Sequence, residues 1–163
     1  KNRFGSTSEV GIFEMTEKGL QEVKNPSAAF LEGRLAGGKG SAIFPALEGQ
    51  RPFLVEVQAL TAASPFGIPK RSSSGISLQR LSILLAVLEQ HARLPLANRD
   101  VFANVVGGFR LEETASDLAV ALAVVSAQRG KPLPSDMVII GELGLSGEVR
   151  SVHHLEKRLQ EAE

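Results

Sequence analysis

DVFANVVGGFRLEETASDLAVALAVVSA, residues Asp100 to Ala127, decides how this chain folds. It reads as a strand over Asp100 to Val106, a turn at Gly107-Gly108, and a helix that starts near Thr114 and is apolar on most of its sides. Thr114-Ala115-Ser116-Asp117 has a capping-box-like order, with the carboxylates of Glu112, Glu113 and Asp117 near the positive end of the helix dipole. Ser116 therefore has two readings, a polar residue of the first turn or a nucleophile at a helix entrance. A nucleophile needs a base within hydrogen-bond reach. Lys131 follows the same helix and lies about 20 Å away at 1.5 Å per residue, whereas His153, His154 and Lys157 approach only if the last helix docks beside the turn.

Upstream of this stretch, Ile76 to Arg93 has Leu78, Leu81, Leu85 and Leu88 at spacings of three and four, with Ser77 and Arg80 turned away, which predicts an amphipathic helix ended by Leu94-Pro95. Ala42–Leu47 and Phe53–Leu60 flank the turn-like EGQRP and predict an antiparallel pair, with Phe53, Val55, Val57 and Ala59 inward and Glu56 and Gln58 on the opposite face. Thr61 to Gly75 is rich in Pro, Gly and Ser and reads as an irregular loop that carries Lys70 and Arg71. Downstream, Met137–Ile140 reads as a strand, GELGLSGE as a turn and the segment from His153 as a last helix.

Residues 1–30 read as a small unit of their own, a strand over Val10 to Met15 returning through TEKG to Leu20–Val23. A lone hairpin is marginal in water, so this piece is expected to belong to a neighbouring domain. Gly33 to Ser41, GRLAGGKGS, nearly matches the phosphate-binding pattern G-x-x-x-x-G-K-[ST], but Gly40 stands where a hydroxyl is needed, and neither a preceding strand nor a following helix is predicted. Linker or turn is the reading adopted.

The 163 residues, 43% hydrophobic, suffice for one substantial core. With no cysteine and three histidines, His91, His153 and His154, the chain offers a poor metal set. No apolar run reaches the ~20 residues of a membrane span, so the expectation is a soluble, cytoplasmic protein without a membrane partner. The chain opens without methionine and closes inside a helical pattern, as an excerpt would. Net charge is zero but unevenly spread: Ser64 to Arg110 carries six basic against two acidic residues, and Leu111 onward five against nine. A basic face fits that asymmetry, and solvated surface charge fits each residue singly.

The opening KNRFG of Lys1 to Gly5, followed by GIFEMTEKGLQEV and NPSAAFL, resembles the RadA (Sms) family of bacterial DNA-repair ATPases, in which KNRFG is a highly specific motif. The likeness continues through GSAIFPALEGQRPFLVEVQAL, the VVGG before Phe109, DLAVALAVVSA and PLPSDMVIIGELGLSGEVR. The resemblance implies an α/β (α+β) fold like the Lon proteolytic domain, of the ribosomal protein S5 domain 2-like type, with a short N-terminal β-hairpin. Residues 1–32 would be the C-terminal edge of a RecA-like ATPase domain, 33–41 a linker, and 42–163 a C-terminally truncated Lon-like domain. ATP, magnesium and zinc are expected in other parts of the parent protein and no cofactor in this segment. The implied partners are duplex and single-stranded DNA, further copies in a hexamer, and a recombinase.

Carried over residue by residue, the Lon serine pattern G-P-S-A-G falls on Thr114 to Leu118, so Ser116 matches the nucleophile while its glycine neighbours do not. The Lon lysine pattern G-G-L-K-E-K falls on His153 to Arg158 and puts Glu156 where the lysine should be. Lys157 is one position off, about 100° round the helix. An exposed glutamate, with a pKa of about 4.3, is a weak activator of a serine. Ser116 is thus a relic position, and the expected catalytic set is empty. In the family the Lys and Arg of KNRFG, here Lys1 and Arg3, support ATP-linked DNA engagement. In the Lon-like part a basic loop followed by a helical arginine makes Lys70, Arg71 and Arg80 the candidate phosphate contacts. The leading expectation is a non-proteolytic, duplex-DNA-binding and hexamer-forming scaffold of a repair ATPase that supports branch migration. A Ser116 peptidase and a purely structural ring scaffold are the alternatives.

Overall fold

The computed structural model describes residues 11–65 and 67–162. Lys1 and Arg3 lie outside the described residues. Two short strands come first, β1 (Phe13–Thr16) and β2 (Gly19–Glu22), in an antiparallel hairpin closed through Thr16 and Gly19. Gly19 takes the left-handed backbone that such a tight turn needs. Helix α1 (Pro26–Leu31) then begins with Pro at its first turn and the Asn25 side chain accepting from Ala28 N at 3.0 Å.

The main sheet has four strands, β3 (Ser41–Glu48), β4 (Arg51–Ala63), β5 (Arg71–Ser74) and β6 (Arg99–Val105), in the order β3-β4-β6-β5. All pairs are antiparallel except β5 with β6, which helix α2 (Leu78–His91) connects as a parallel crossover. One face of the sheet presents Phe44, Phe53, Val55, Val57, Val101 and Val105, all at most 2% exposed. Helix α3 (Asp117–Arg129) lies against that face. Alanines at 119, 121 and 123 let it approach closely, and each fully buried valine, Val120 and Val124 among them, contributes roughly 1.5–3 kcal/mol. Gly130 ends the helix in left-handed backbone. A two-residue ladder, β7 (Glu142–Leu143) with β8 (Val149–Arg150), and helix α4 (Leu155–Gln160) complete the chain.

This mixed α/β architecture is the expected α+β, Lon-like fold with an N-terminal hairpin. Four local readings are corrected. The Ser-rich run 71–74 is a strand and not irregular loop, because it lies parallel along the edge of β6, where small polar side chains tolerate solvent. Met137–Ile140 forms no strand of its own: behind Pro132 and Pro134 it touches β3 through one bridge, Ile43 to Val138, with Ile139 N donating to Ile43 O at 2.9 Å. Leu78 is half exposed, and Leu84 takes its place in the core. Glu56, assigned to the outer face, is only 4% exposed, and Ser41 Oγ donates to its carboxylate at 2.5 Å. Helix α1 packs on the main sheet, where Phe30 meets Phe53 and Phe109 at ring-centroid distances of 5.7 and 4.6 Å. Among the described residues, no helix is long and apolar enough to cross a membrane.

Candidate functional site

Behind β6 the chain makes a short helical turn at Val106–Gly108 and another at Thr114–Ser116, which delivers Ser116 to the start of α3. A groove of about 860 Å³ opens there, lined by Gly75, Ser77, Arg80, Arg110, Thr114 and Ser116 among others. The segment from Glu113 to Asp117 is fastened residue by residue. Glu113 accepts from Arg158, Thr114 Oγ1 donates to Glu142 Oε2 at 2.8 Å, and Asp117 accepts from Arg80 and from Leu143 N.

Ser116 is 4% exposed and its hydroxyl donates to Glu113 O at 2.8 Å. That bond closes the serine back onto its own turn. Among the described residues no lysine, histidine or carboxylate side chain is hydrogen-bonded to it. Glu156, expected at the position of the Lon lysine, is exposed on α4. Lys157 is exposed too and donates to Gln50 Oε1.

The cation that does enter the core from α4 is Arg158, 2% exposed. Its guanidinium forks onto Glu113, with Nη1 at 3.1 Å from Oε1 and Nη2 on Oε2, and also donates to Pro45 O at 2.5 Å and His153 O at 3.2 Å. The Phe44 ring lies 5.4 Å below it. A guanidinium of this kind stays charged and cannot take a proton from a hydroxyl. Arg158 did not stand out in the sequence, and Glu113 did so only as one of three carboxylates near the start of the helix. Arg158 is one cation of a Lys-Arg pair on a charged helix, and only the depth at which α4 sits distinguishes it from Lys157.

The three proposed phosphate contacts fare differently. Arg80 is bound to Asp117 through both guanidinium edges, Nε to Oδ1 at 2.8 Å and Nη2 to Oδ2, and Asp117 is fully buried. The hydrogen bond to Asp117 raises the pKa of Arg80 further above its ordinary value, against the opposing effect of burial. Arg71, now on a strand, donates to the carbonyls of Lys70, Leu96 and Arg99. Its fork is spent on the 96–99 turn. Lys70 is exposed, and its backbone N–H donates to Asp100 Oδ1 at 2.8 Å. The glycine-rich segment 33–41 forms turns that lead into β3, with the amides of Gly38 and Gly40 donating to Leu35 O and Ser126 Oγ, so they do not converge on an anion.

A Lon-like α+β fold in which Ser116 is shut onto its own turn and Glu156 is exposed to solvent defines the class. Residues 67–163 match the family model described as subunit ChlI of Mg-chelatase. Over 99% of its length the chain is 52% identical to DNA repair protein RadA of Listeria monocytogenes, and over the same share 51% identical to the proteins of that name from Aquifex aeolicus and Escherichia coli. The chain belongs to that ChlI family and, within it, stands with the RadA proteins. It spans 35–36% of the length of these relatives.

Proposed function

We propose that this chain is the non-proteolytic, Lon-like part of a DNA-repair ATPase, binding duplex DNA and forming the scaffold of a hexameric ring that supports ATP-dependent branch migration. One observation carries the non-proteolytic half: the Ser116 hydroxyl is bonded to Glu113 O, and the buried cation nearest in sequence to the lysine position is an arginine locked to Glu113. A serine whose proton is already donated to a carbonyl, with no base beside it, gains no nucleophilicity. The DNA half is supported by the name of the relatives, DNA repair protein RadA, and by the excess of cations between Ser64 and Arg110. Of the three proposed in the Lon-like part, Lys70 is exposed, has no side-chain partner among the described residues and is left for a phosphate, while Arg71 and Arg80 serve the fold. ATP, magnesium and zinc would be held by the remainder of the parent protein.

The test uses the intact protein. Labelled duplex DNA titrated at several salt concentrations should bind with an affinity that falls linearly on a log–log plot, and ring size should be read by analytical ultracentrifugation. Rings without duplex affinity would leave the purely structural scaffold. Peptide cleavage abolished by Ser116→Ala would restore the peptidase.

A further inference from the structure

We propose that Lys39, Arg129 and Lys131, gathered at the C-terminal end of α3, form a phosphate-contact surface for duplex DNA. The proposal rests on the DNA-binding reading above and supplies it with a location that the Lys70, Arg71 and Arg80 set does not. Ser126, 2% exposed in the last turns of α3, is the organiser. Its Oγ accepts from Gly40 N at 2.9 Å and donates to Lys131 O at 2.6 Å. A single buried hydroxyl thus pins the glycine-rich loop and the loop after α3 to each other. Lys39 precedes the first of those contacts and Lys131 makes the second. The two lysines and Arg129 therefore emerge together, and Lys39 Nζ lies 3.9 Å from where a Cβ at Gly130 would stand.

All three side chains are exposed, and none has a carboxylate within 4.0 Å among the described residues. That is the opposite of Arg80, whose charge is already neutralised by Asp117. A fourth cation, Arg34, is drawn to the same side by donating to Ser135 O at 2.9 Å. The local acids are Asp136, exposed beside Ser135, and Glu56, buried and bonded to Ser41. The balance is positive. Three unpaired cations at the end of α3 also face the negative pole of its dipole, so the helix holds them there and the phosphates contact their outer side. The near-match of GRLAGGKGS to a phosphate loop takes on a different sense: its amides are consumed internally, and its lysine is what remains for an anion.

The experiment compares two triple variants of the intact protein, Lys39→Gln/Arg129→Gln/Lys131→Gln and a comparator at three exposed lysines with no assigned binding role, Lys18→Gln/Lys24→Gln/Lys157→Gln, in duplex-DNA titrations across a salt series without nucleotide. The cluster variant should lower the magnitude of the log K against log salt slope by about three, roughly one per phosphate contact removed, and weaken binding about tenfold or more. The comparator should change the slope by less than one such contact. An unchanged slope in the cluster variant, or equal flattening in both, overturns the proposal while leaving DNA binding intact. Absence of duplex binding by the unsubstituted protein overturns the DNA reading itself. Inorganic phosphate at matched ionic strength should displace duplex no better than chloride; stronger displacement that the cluster variant loses would assign the site to free phosphate and overturn the proposal. Should the triple variant fail to fold, Lys39→Gln and Lys131→Gln singly should each flatten the slope by about one, and failure of both to do so likewise overturns the proposal.

Discussion

Arg158 forks onto Glu113, three residues ahead of Ser116, and so joins the last helix to the entrance of the central one. The guanidinium is also the donor to Pro45 O, whose strand lies between them. Removing it leaves a carboxylate that is 30% exposed and a carbonyl without their partner. Arg158→Ala should therefore cost about 3 kcal/mol in urea unfolding, near the lower end for breaking a buried ion pair because Glu113 retains some solvent. Arg158→Lys should recover little, since an ammonium cannot fork. In a double-mutant cycle with Glu113→Gln the coupling should be favourable by about 1 kcal/mol or more, at the scale expected of contacting residues. Additive losses would show that the two side chains act independently.

A lysine placed at position 156, where the resemblance to Lon expects one, should not create proteolysis. Glu156 is exposed, so Glu156→Lys sends its ammonium into water, where it stays protonated and offers no base. Unfolded casein incubated with this variant should remain uncut, and a fluorophosphonate probe should not label Ser116. Ser116→Ala removes only the bond to Glu113 O, for which a loss of about 1 kcal/mol is expected. Labelling of Ser116 in either the unsubstituted protein or the Glu156→Lys variant would show that the turn opens and finds a base.

Much of the fold was legible because periodicity is set by burial. The apolar alternation of Phe53, Val55 and Val57 and the run of small and branched residues from Ala119 to Val124 both correspond to core. The strand 71–74 was not legible, since four residues of Arg and Ser carry no apolar alternation and become a strand only because β6 offers an edge. The same holds at the site. The pattern put Ser116 at the entrance of the helix, but the partners that hold Arg71, Arg80 and Arg158 in place, Leu96, Asp117 and Glu113, come from 25 or more residues away, and a charged side chain in a sequence reads as solvated by default. Glu56 illustrates the converse, an alternation that predicts exposure overruled by neighbouring Ser41.

Arg80 and Asp117 tie the first turn of α2 to the first turn of α3, and Asp117 also accepts from Leu143 N at 3.1 Å. If Arg80 belongs to the framework, Arg80→Ala should lower stability by about 3–5 kcal/mol, because the carboxylate it abandons is fully buried. Arg80→Lys should be nearly as damaging, as it replaces a two-edged contact with a single point charge. The pair of measurements is decisive when read with duplex binding: a stable Arg80→Ala protein that loses DNA affinity would return the residue to the phosphate surface.

Ser126 has the opposite character, a neutral side chain whose value lies in two bonds made at once. Gly40 N and Lys131 O both depend on it, and the first of these bonds is buried. Ser126→Ala keeps the helix propensity and removes the clasp, leaving a buried amide without an acceptor. The expected loss is about 1–3 kcal/mol, read as a shift in the urea midpoint at constant m-value. Amide exchange should localise the damage, with Gly40, whose N–H loses its acceptor, losing protection while Leu81 and Val101 in the core keep theirs. Uniform loss of protection would mean that Ser126 supports α3 as a whole, and no change at Gly40 would mean that the glycine-rich loop is held by something other than this hydroxyl.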